Sequence, residues 1–361
     1  MNIAYVSAAL GIPVQGPSGA SAHIRDCVTA LRDAHDVDLF SPLLSDRRGQ
    51  FGPSVHAVET GVVGWPSWLK NWREYREVRV SRRLTKAVLG TKKQWDVVVE
   101  RHSLFSDSGR QISKKQSIPW LLEVNAPLVD ERLKYESVSN LGMAKKWEKD
   151  ILQSAPCIIA VSQWIKDWLE STYNCSNVRH IPNGVNLIDG CPTRGRKILG
   201  LHNDRPIIGF VGSMKPWHGL SFVKKLIPHL DAQFVFIGHN APIIEGCISM
   251  PVYDPIDLAD VVSSFSVGLA PYMSDAPPWF SPLKILQYRA QGVPVVAPNI
   301  GDCRLLMEGC GQEACASDLD AWLHAIQSEV GARYPKTIRS WGVVASEILS
   351  DVDQSRTDAL H

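Results

Sequence analysis

Ile207-Ile-Gly-Phe-Val211-Gly212-Ser-Met-Lys215-Pro-Trp-His218-Gly219-Leu220 carries the pattern that decides the fold. Five residues of strand character run into Gly212, and the spacing predicts a helix starting near Gly219. A loop of this kind belongs at the carboxyl end of a strand, where open α/β sheets bind their ligands. The same unit recurs on either side. Apolar runs of strand length lie at 2–7, 37–40, 95–100, 120–124, 158–161 and 178–182 before it, and at 233–237, 267–270 and 295–297 after it. Longer amphipathic segments, such as 20–31 and 163–169, follow several of them. Short Val/Ile/Phe runs alternating with helices predict parallel strands covered on both faces, an α/β fold.

The pattern restarts after Pro182-Asn183-Gly184-Val185-Asn186, and the polar stretch 186–205 reads as a linker and hinge. A length of 361 residues, at roughly 150 per domain, also gives two domains. We expect them over 1–186 and 187–340, with a terminal segment over 341–361. The balance of 38 Lys+Arg against 37 Asp+Glu excludes the cationic surface that general nucleic-acid binding needs. Eight cysteines form no Cys-x-x-Cys pair, which predicts free thiols in a reducing cytoplasm rather than a zinc site or a disulfide scaffold. No apolar run reaches the roughly 18 residues of a membrane helix, and residues 1–10 lack a basic leader, so a cytoplasmic protein is expected. One segment departs from the even charge. Over Trp68–Lys93 nine Lys and Arg face only Glu74 and Glu77, with Trp68, Trp72 and Tyr75 at helical spacing. This predicts an aromatic stripe and a cationic face, either a solvated helix or a peripheral contact with anionic lipid at the inner membrane face.

Two further loops invite chemistry. Gly11-Ile-Pro-Val-Gln-Gly16-Pro-Ser-Gly19-Ala-Ser-Ala-His23 follows the first strand and opens a helix; it suits an anion or a sugar, or is a plain tight turn. It is not the dinucleotide fingerprint Gly-x-Gly-x-x-Gly, and the second strand ends Phe40-Ser41 with no acidic residue, so a nicotinamide cofactor is not expected. In Ser281-Pro282-Leu283-Lys284-Ile-Leu-Gln287-Tyr288, Ser281 reads as a helix cap and Pro282 as the first helical residue. Amides at that helix start, beside Lys284, suit a phosphate, and Gln287 one turn on suits a ribose. An ordinary capped helix with a solvated lysine is the plainer alternative. Asp-x-Asp occurs at Asp36/Asp38, Asp318/Asp320 and Asp351/Asp353, all away from these loops, and no His-x-x-x-His or Cys/His cluster appears, so no metal site is expected.

Together these stretches resemble the retaining glycosyltransferases of glycosyltransferase family 4. The matching elements are Gly-Ala-Ser-Ala-His23, Val99-Glu100-Arg101-His102, Leu122-Glu123-Val-Asn125, Ile181-Pro-Asn-Gly-Val-Asn186, the Gly212 loop and the Ser281 helix, in family order over residues 1 to about 300. The resemblance implies the GT-B fold: two Rossmann-like domains facing across a cleft, with a C-terminal helix near Trp341 crossing back to the first. It implies transfer of a hexosyl or N-acetylhexosaminyl group from a nucleotide-sugar, a UDP-sugar by family frequency, to a hydroxyl of a glycan, lipid-linked or small aglycone acceptor. No cofactor or metal is implied. Arg101, Lys215 and Lys284 would be catalytic. Gly16, Gly19, Gly212, Ser213, His218, Ser281, Pro282, Leu283 and Gln287 would hold the donor, and His23, His102, Glu123 and Asn125 would line the acceptor side. Where relatives carry a pair of Glu eight positions apart, this chain has Trp279 and Gln287. The loss of that pair keeps a non-catalytic nucleotide-sugar-binding or partner protein as an alternative. An inverting enzyme using His23 or His102 as base is another. With a charged His218 on the diphosphate, donor affinity is expected to weaken above about pH 7.

Overall fold

The computed structural model describes residues 1–16, 18–42, 54–58, 73–252, 254–336 and 339–358. The chain divides into two compact units. The first comprises Met1–Gly16, Ala20–Pro182 and Gly342–His361; the second comprises Pro17–Gly19 and Asn183–Trp341.

The first unit is built on a seven-stranded sheet of β1 (Asn2–Ser7), β2 (Asp36–Ser41), β3 (Val55–Ala57), β4 (Val97–Arg101), β5 (Trp120–Val124), β6 (Cys157–Ala160) and β7 (Val178–His180). Its strand order is β3-β2-β1-β4-β5-β6-β7, and the pairs are parallel. The second unit carries β8 (Ile207–Val211), β9 (Gln233–Ile237), β10 (Ile248–Met250), β11 (Val267–Leu269), β12 (Val295–Ala297) and β13 (Gly311–Glu313). Its order is β10-β9-β8-β11-β12-β13, again parallel. Both are doubly wound sheets. In each the order reverses beside the first strand, between β1 and β4 and between β8 and β11, and there the chain leaves the sheet in opposite directions and opens a crevice.

Side-chain alternation shows why these runs are central strands. Along β8, Ile207 and Val211 enter one core with Phe265, Ile285 and Tyr288, whereas Ile208 and Phe210 enter another with Phe222, Phe236 and Trp322. A strand covered on both faces leaves no polar side, which explains the unbroken apolar sequence. Gly209 and Gly268 let aromatic rings press onto the sheet: a Cβ on Gly209 would lie 2.1 Å from the Phe265 ring, and one on Gly268 2.5 Å from the Tyr288 ring.

Several expectations need correction. The stretch 186–205 is not a free linker. It contains α7 (Pro192–Ile198), which packs on α9 (Pro255–Ser263) so closely that a Cβ on Gly195 would meet the Asp260 carbonyl at 2.0 Å. Asp260 takes the Cys191 amide at 2.6 Å and both arms of Arg194, and Gln291 clasps the Gly190 amide and the Ile188 carbonyl. A segment clamped at both ends is a poor hinge. The basic segment is helical as α2 (Arg73–Gly90), with residues 68–72 outside the described part. Its buried face is not aromatic: Tyr75 is exposed, and Glu74, Glu77, Val80, Leu84 and Val88 face inward. Glu77 pairs with Arg132 of α4 (Leu128–Tyr135), and Glu74 accepts the Ser139 amide. Arg82, Arg83 and Lys86 are exposed. The terminal helix α13 (Trp341–Asp358) joins the first unit from Gly342 onward, where Arg179 donates to the Glu347 carbonyl at 2.5 Å and to Ser350 Oγ at 2.9 Å. All eight cysteines are free, and four are buried. No helix among the described residues is long and apolar enough to cross a membrane.

Candidate functional site

The loop after β8 is shaped by its backbone. Met214 has φ 56°, a left-handed conformation unusual for a side-chain-bearing residue, and Pro216–His218 forms one 3-10 turn. Gly219, at φ 65°, then leads into α8 (Leu220–Leu226), and a Cβ there would strike the Pro271 carbonyl at 1.9 Å. Only glycine closes this loop onto the segment that follows β11.

Facing the loop is α10 (Leu283–Ala290). Its start differs from the sequence reading. Pro282 occupies the cap position with no side-chain cap bond, and Ser281 Oγ is buried without a partner. Ser281 is therefore not a cap; its hydroxyl is left over for something else. The Ser281 carbonyl accepts from Asn183 Nδ2 at 3.3 Å.

Lys284 reaches back past the helix start. Its Nζ lies 3.2 Å from the position a Gly212 Cβ would take, and stands over the Phe210 ring at 4.0 Å and the Tyr272 ring at 4.8 Å. The residue is buried, and the amine has no hydrogen-bond partner. Burial pulls its pKa from 10.5 down to about 7, and two ring faces offset part of the cost of the charge. A buried, unpaired amine at the end of a central strand is a costly arrangement unless an anion completes it.

His218 is buried among Phe210, Trp217 and Tyr272, with ring centroids 5.6–6.2 Å away. Burial first, then the charges of Lys284 and Lys215, lower its pKa to about 2. Its Nδ1 accepts the Lys215 amide at 3.2 Å, which leaves the proton on Nε2. The expected cation is thus a neutral imidazole, able to donate a hydrogen bond but not to carry charge. Lys215 is exposed, its Nζ 5.8 Å from the Trp217 ring centroid. Ser213 and Gln287 are half-buried, and Trp279 is buried.

In the first unit, the buried Glu123 at the end of β5 is a hub. Its Oε1 accepts from Arg101 at 2.9 Å and Asn125 at 2.5 Å and lies 2.8 Å from His23 Nε2, while Tyr5 OH donates to Oε2 at 3.3 Å. Burial alone would raise its pKa, but His23, Arg101 and Asn125 outweigh it and hold the carboxyl well below its ordinary value. β1, α1 (Gly19–Arg32), β4 and β5 each contribute to this hub, so the structure brings together Arg101, His23, Glu123 and Asn125. It does not bring His102. That ring lies 3.9 Å from Glu148, with neither nitrogen hydrogen-bonded, because consecutive residues at a strand end point to opposite faces. Gly16 has a local steric cause: a Cβ would meet Pro13 and Ser21 Oγ at 2.7 Å, and Arg25 ties down the Gly16 and Val14 carbonyls. Gly19 begins α1.

Phe210, Tyr272, Tyr288 and Tyr5 were not singled out from sequence. The signals were available for two of them: Tyr288 lies one helical turn after Lys284, and Phe210 two residues before Gly212. Among the described residues no three His, Cys, Asp or Glu side chains gather as metal ligands. Asp36 and Asp38 pair with Lys93, and Asp318 caps α12 (Leu319–Glu329).

Comparison with known proteins agrees with this layout. Residues 17–188 match the family model described as Glycosyltransferase Family 4, and residues 205–329 the model described as Glycosyl transferases group 1. Starch synthase 1, chloroplastic/amyloplastic, of Triticum aestivum is 34% identical over 87 residues, which are 23% of this chain and 13% of that protein. Among solved structures, sucrose-phosphate synthase from Thermosynechococcus elongatus superposes with a TM-score of 0.70 at 17% identity, covering 100% of this chain and 98% of that one. HepE from Anabaena, in complex with UDP and glucose, gives 0.67 at 15% identity over 100% and 99%. At these identities the likeness is one of fold, and that fold is GT-B.

Proposed function

The chain belongs to glycosyltransferase family 4, and from that premise we propose that it moves a hexosyl or N-acetylhexosaminyl group from a UDP-sugar to an acceptor hydroxyl, with retention and without a metal. The observation that carries the reading is the Lys284 amine, buried, partnerless and aimed at Gly212. The complexes of HepE with UDP and with UDP-glucose support a uridine donor here.

Breaking the bond between the anomeric carbon and the diphosphate puts positive character on the sugar and negative charge on the leaving oxygen. Lys284 supplies a cation to that oxygen, and His218 Nε2–H, Ser281 Oγ and the first amides of α10 supply dipoles. Gly212 and Ser213 let the diphosphate approach the backbone. Gln287 takes the ribose, and Pro282 and Leu283 shape the wall beside it. Lys215, at the exposed rim, steers the anion in. The acceptor hydroxyl attacks from the face the phosphate leaves, and its proton passes to the departing phosphate oxygen. Arg101, held rigid by Glu123 with His23 and Asn125, orients the acceptor. Its chemical class is a glycan, a lipid-linked intermediate or a small aglycone.

Trp279, standing where relatives have a carboxylate, favours one second reading: a protein that binds nucleotide-sugar without turning it over. A thermal-shift screen with UDP-, GDP- and dTDP-sugars, repeated on Lys284→Ala, tests the proposal. Stabilisation by a UDP-sugar that disappears in the variant is expected, with slow donor hydrolysis by the native chain. No shift with any nucleotide refutes the reading, and tight binding with no hydrolysis or transfer favours the second.

A further inference from the structure

Tyr288 occupies an unusual position for a core tyrosine. The register of β8 and β11 pairs Ile208 with Val267 and Gly209 with Gly268, and the next rung in that register would join the Val211 amide to the Leu269 carbonyl. That rung is not made. The Val211 amide donates instead to Tyr288 OH at 2.9 Å, and the same hydroxyl donates to the Leu269 carbonyl at 3.1 Å. One phenol oxygen is therefore inserted between the two strands, at the point where the order of the sheet reverses. Both backbone groups are satisfied, yet the strand ends stand one atom further apart than the ladder would hold them.

The side chain is fully buried, and the fit of its ring is what excludes a Cβ at Gly268. It projects from α10 on the same face as Lys284, four residues earlier. One helix thus sends an amine to Gly212 and a hydroxyl to the adjacent Val211. The loops beginning at Gly212 and Ala270 leave from the two ends that the hydroxyl separates, and they are joined again where the Met273 amide donates to the Trp217 carbonyl at 3.2 Å.

We propose that Tyr288 is a positioning residue: its hydroxyl wedges β8 from β11 and sets the width of the crevice in which the donor diphosphate meets Gly212 and Lys284. The inference rests on the donor-site reading above and adds to it the part that fixes the spacing. Without the oxygen, the Val211 amide and Leu269 carbonyl are left as buried orphans and draw together, narrowing the crevice and displacing the Gly212 loop.

Tyr288→Phe keeps the ring and removes only the wedge. Amide hydrogen exchange on the ligand-free variant reads the strand ends directly. A change of about tenfold over Val211–Gly219 is expected, and unchanged exchange there overturns the inference. Calorimetry with UDP reads the consequence, with a dissociation constant expected to rise about tenfold. A purely structural tyrosine would lower the melting temperature and leave UDP affinity in the folded protein untouched; that result also overturns the inference. Gly268→Ala, which crowds the ring from the opposite strand, is expected to weaken UDP binding in the same way. If the native chain itself binds no UDP, the donor reading fails and the positioning role goes with it. If the native chain binds and Tyr288→Phe binds equally, only the wedge fails.

Discussion

The charge on Lys284 should govern how donor affinity depends on pH. With its pKa drawn down to about 7, the amine in the empty site is about half protonated at pH 7. By pH 9 the charged fraction is about one per cent, so the dissociation constant of UDP is expected to rise about fiftyfold, roughly 2 kcal/mol. The terminal phosphate of UDP ionises near about pH 6, below this window, and does not confuse it. His218, held near pKa 2, is neutral throughout and contributes no slope, so His218→Gln keeps the pH dependence while Lys284→Met flattens it. The direction matches the expectation from sequence, but the group responsible differs. A second measurement checks the same cause. The folded chain binds this proton less tightly than the unfolded chain does, so stability rises between about pH 7 and 10.5 and the full penalty applies below 7. At about 1.4 kcal/mol per pH unit the penalty approaches about 5 kcal/mol, and Lys284→Met is expected to recover up to that amount in urea unfolding without ligand. Calorimetric UDP affinity that is flat from pH 7 to 9, or a slope that survives Lys284→Met, refutes the reasoning.

Glu123→Gln is expected to cost about 3–5 kcal/mol in urea unfolding at pH 7, because the Arg101 guanidinium would be left buried without its counter-charge. The native carboxyl, held below its ordinary 4.5, should give up its contribution only as pH falls beneath that value; circular dichroism during acid titration follows the loss. Gly219→Ala combines a positive φ with a Cβ 1.9 Å from the Pro271 carbonyl, and should lower stability by at least about 2 kcal/mol and weaken UDP binding. A melting curve and a UDP titration that both match the native protein would contradict the loop geometry given above.

The central strands were legible because both faces are buried and the apolar runs are unbroken; β1, β5, β8, β9 and β12 fall where the sequence puts them. The edges were not. β3, β10 and β13 are three residues each, His-Ala, Ser-Met and Gln-Glu among them, and become strands only by pairing with a neighbour. Lys284 could be singled out from its place beside a helix start, whereas its lowered pKa comes from burial beside Phe210 and Tyr272, which fold onto it from distant sequence. The charge expected on His218 failed for the same reason: nothing in Pro-Trp-His-Gly indicates burial beside Lys284 and Lys215. Arg101 and His102 could have been separated by strand alternation alone. The segment 186–205 looked free because its glycines suggest looseness, but Gly190 and Gly195 are there for close contact with α9.

His23, Arg101 and Asn125 converge on a single oxygen, Glu123 Oε1, and so are energetically coupled rather than independent. Replacing any one changes the value of the other two, and a mutational library that visits them one at a time will meet only losses. Re-engineering this corner of the protein calls for the quartet to be randomised together, with survivors judged as sets.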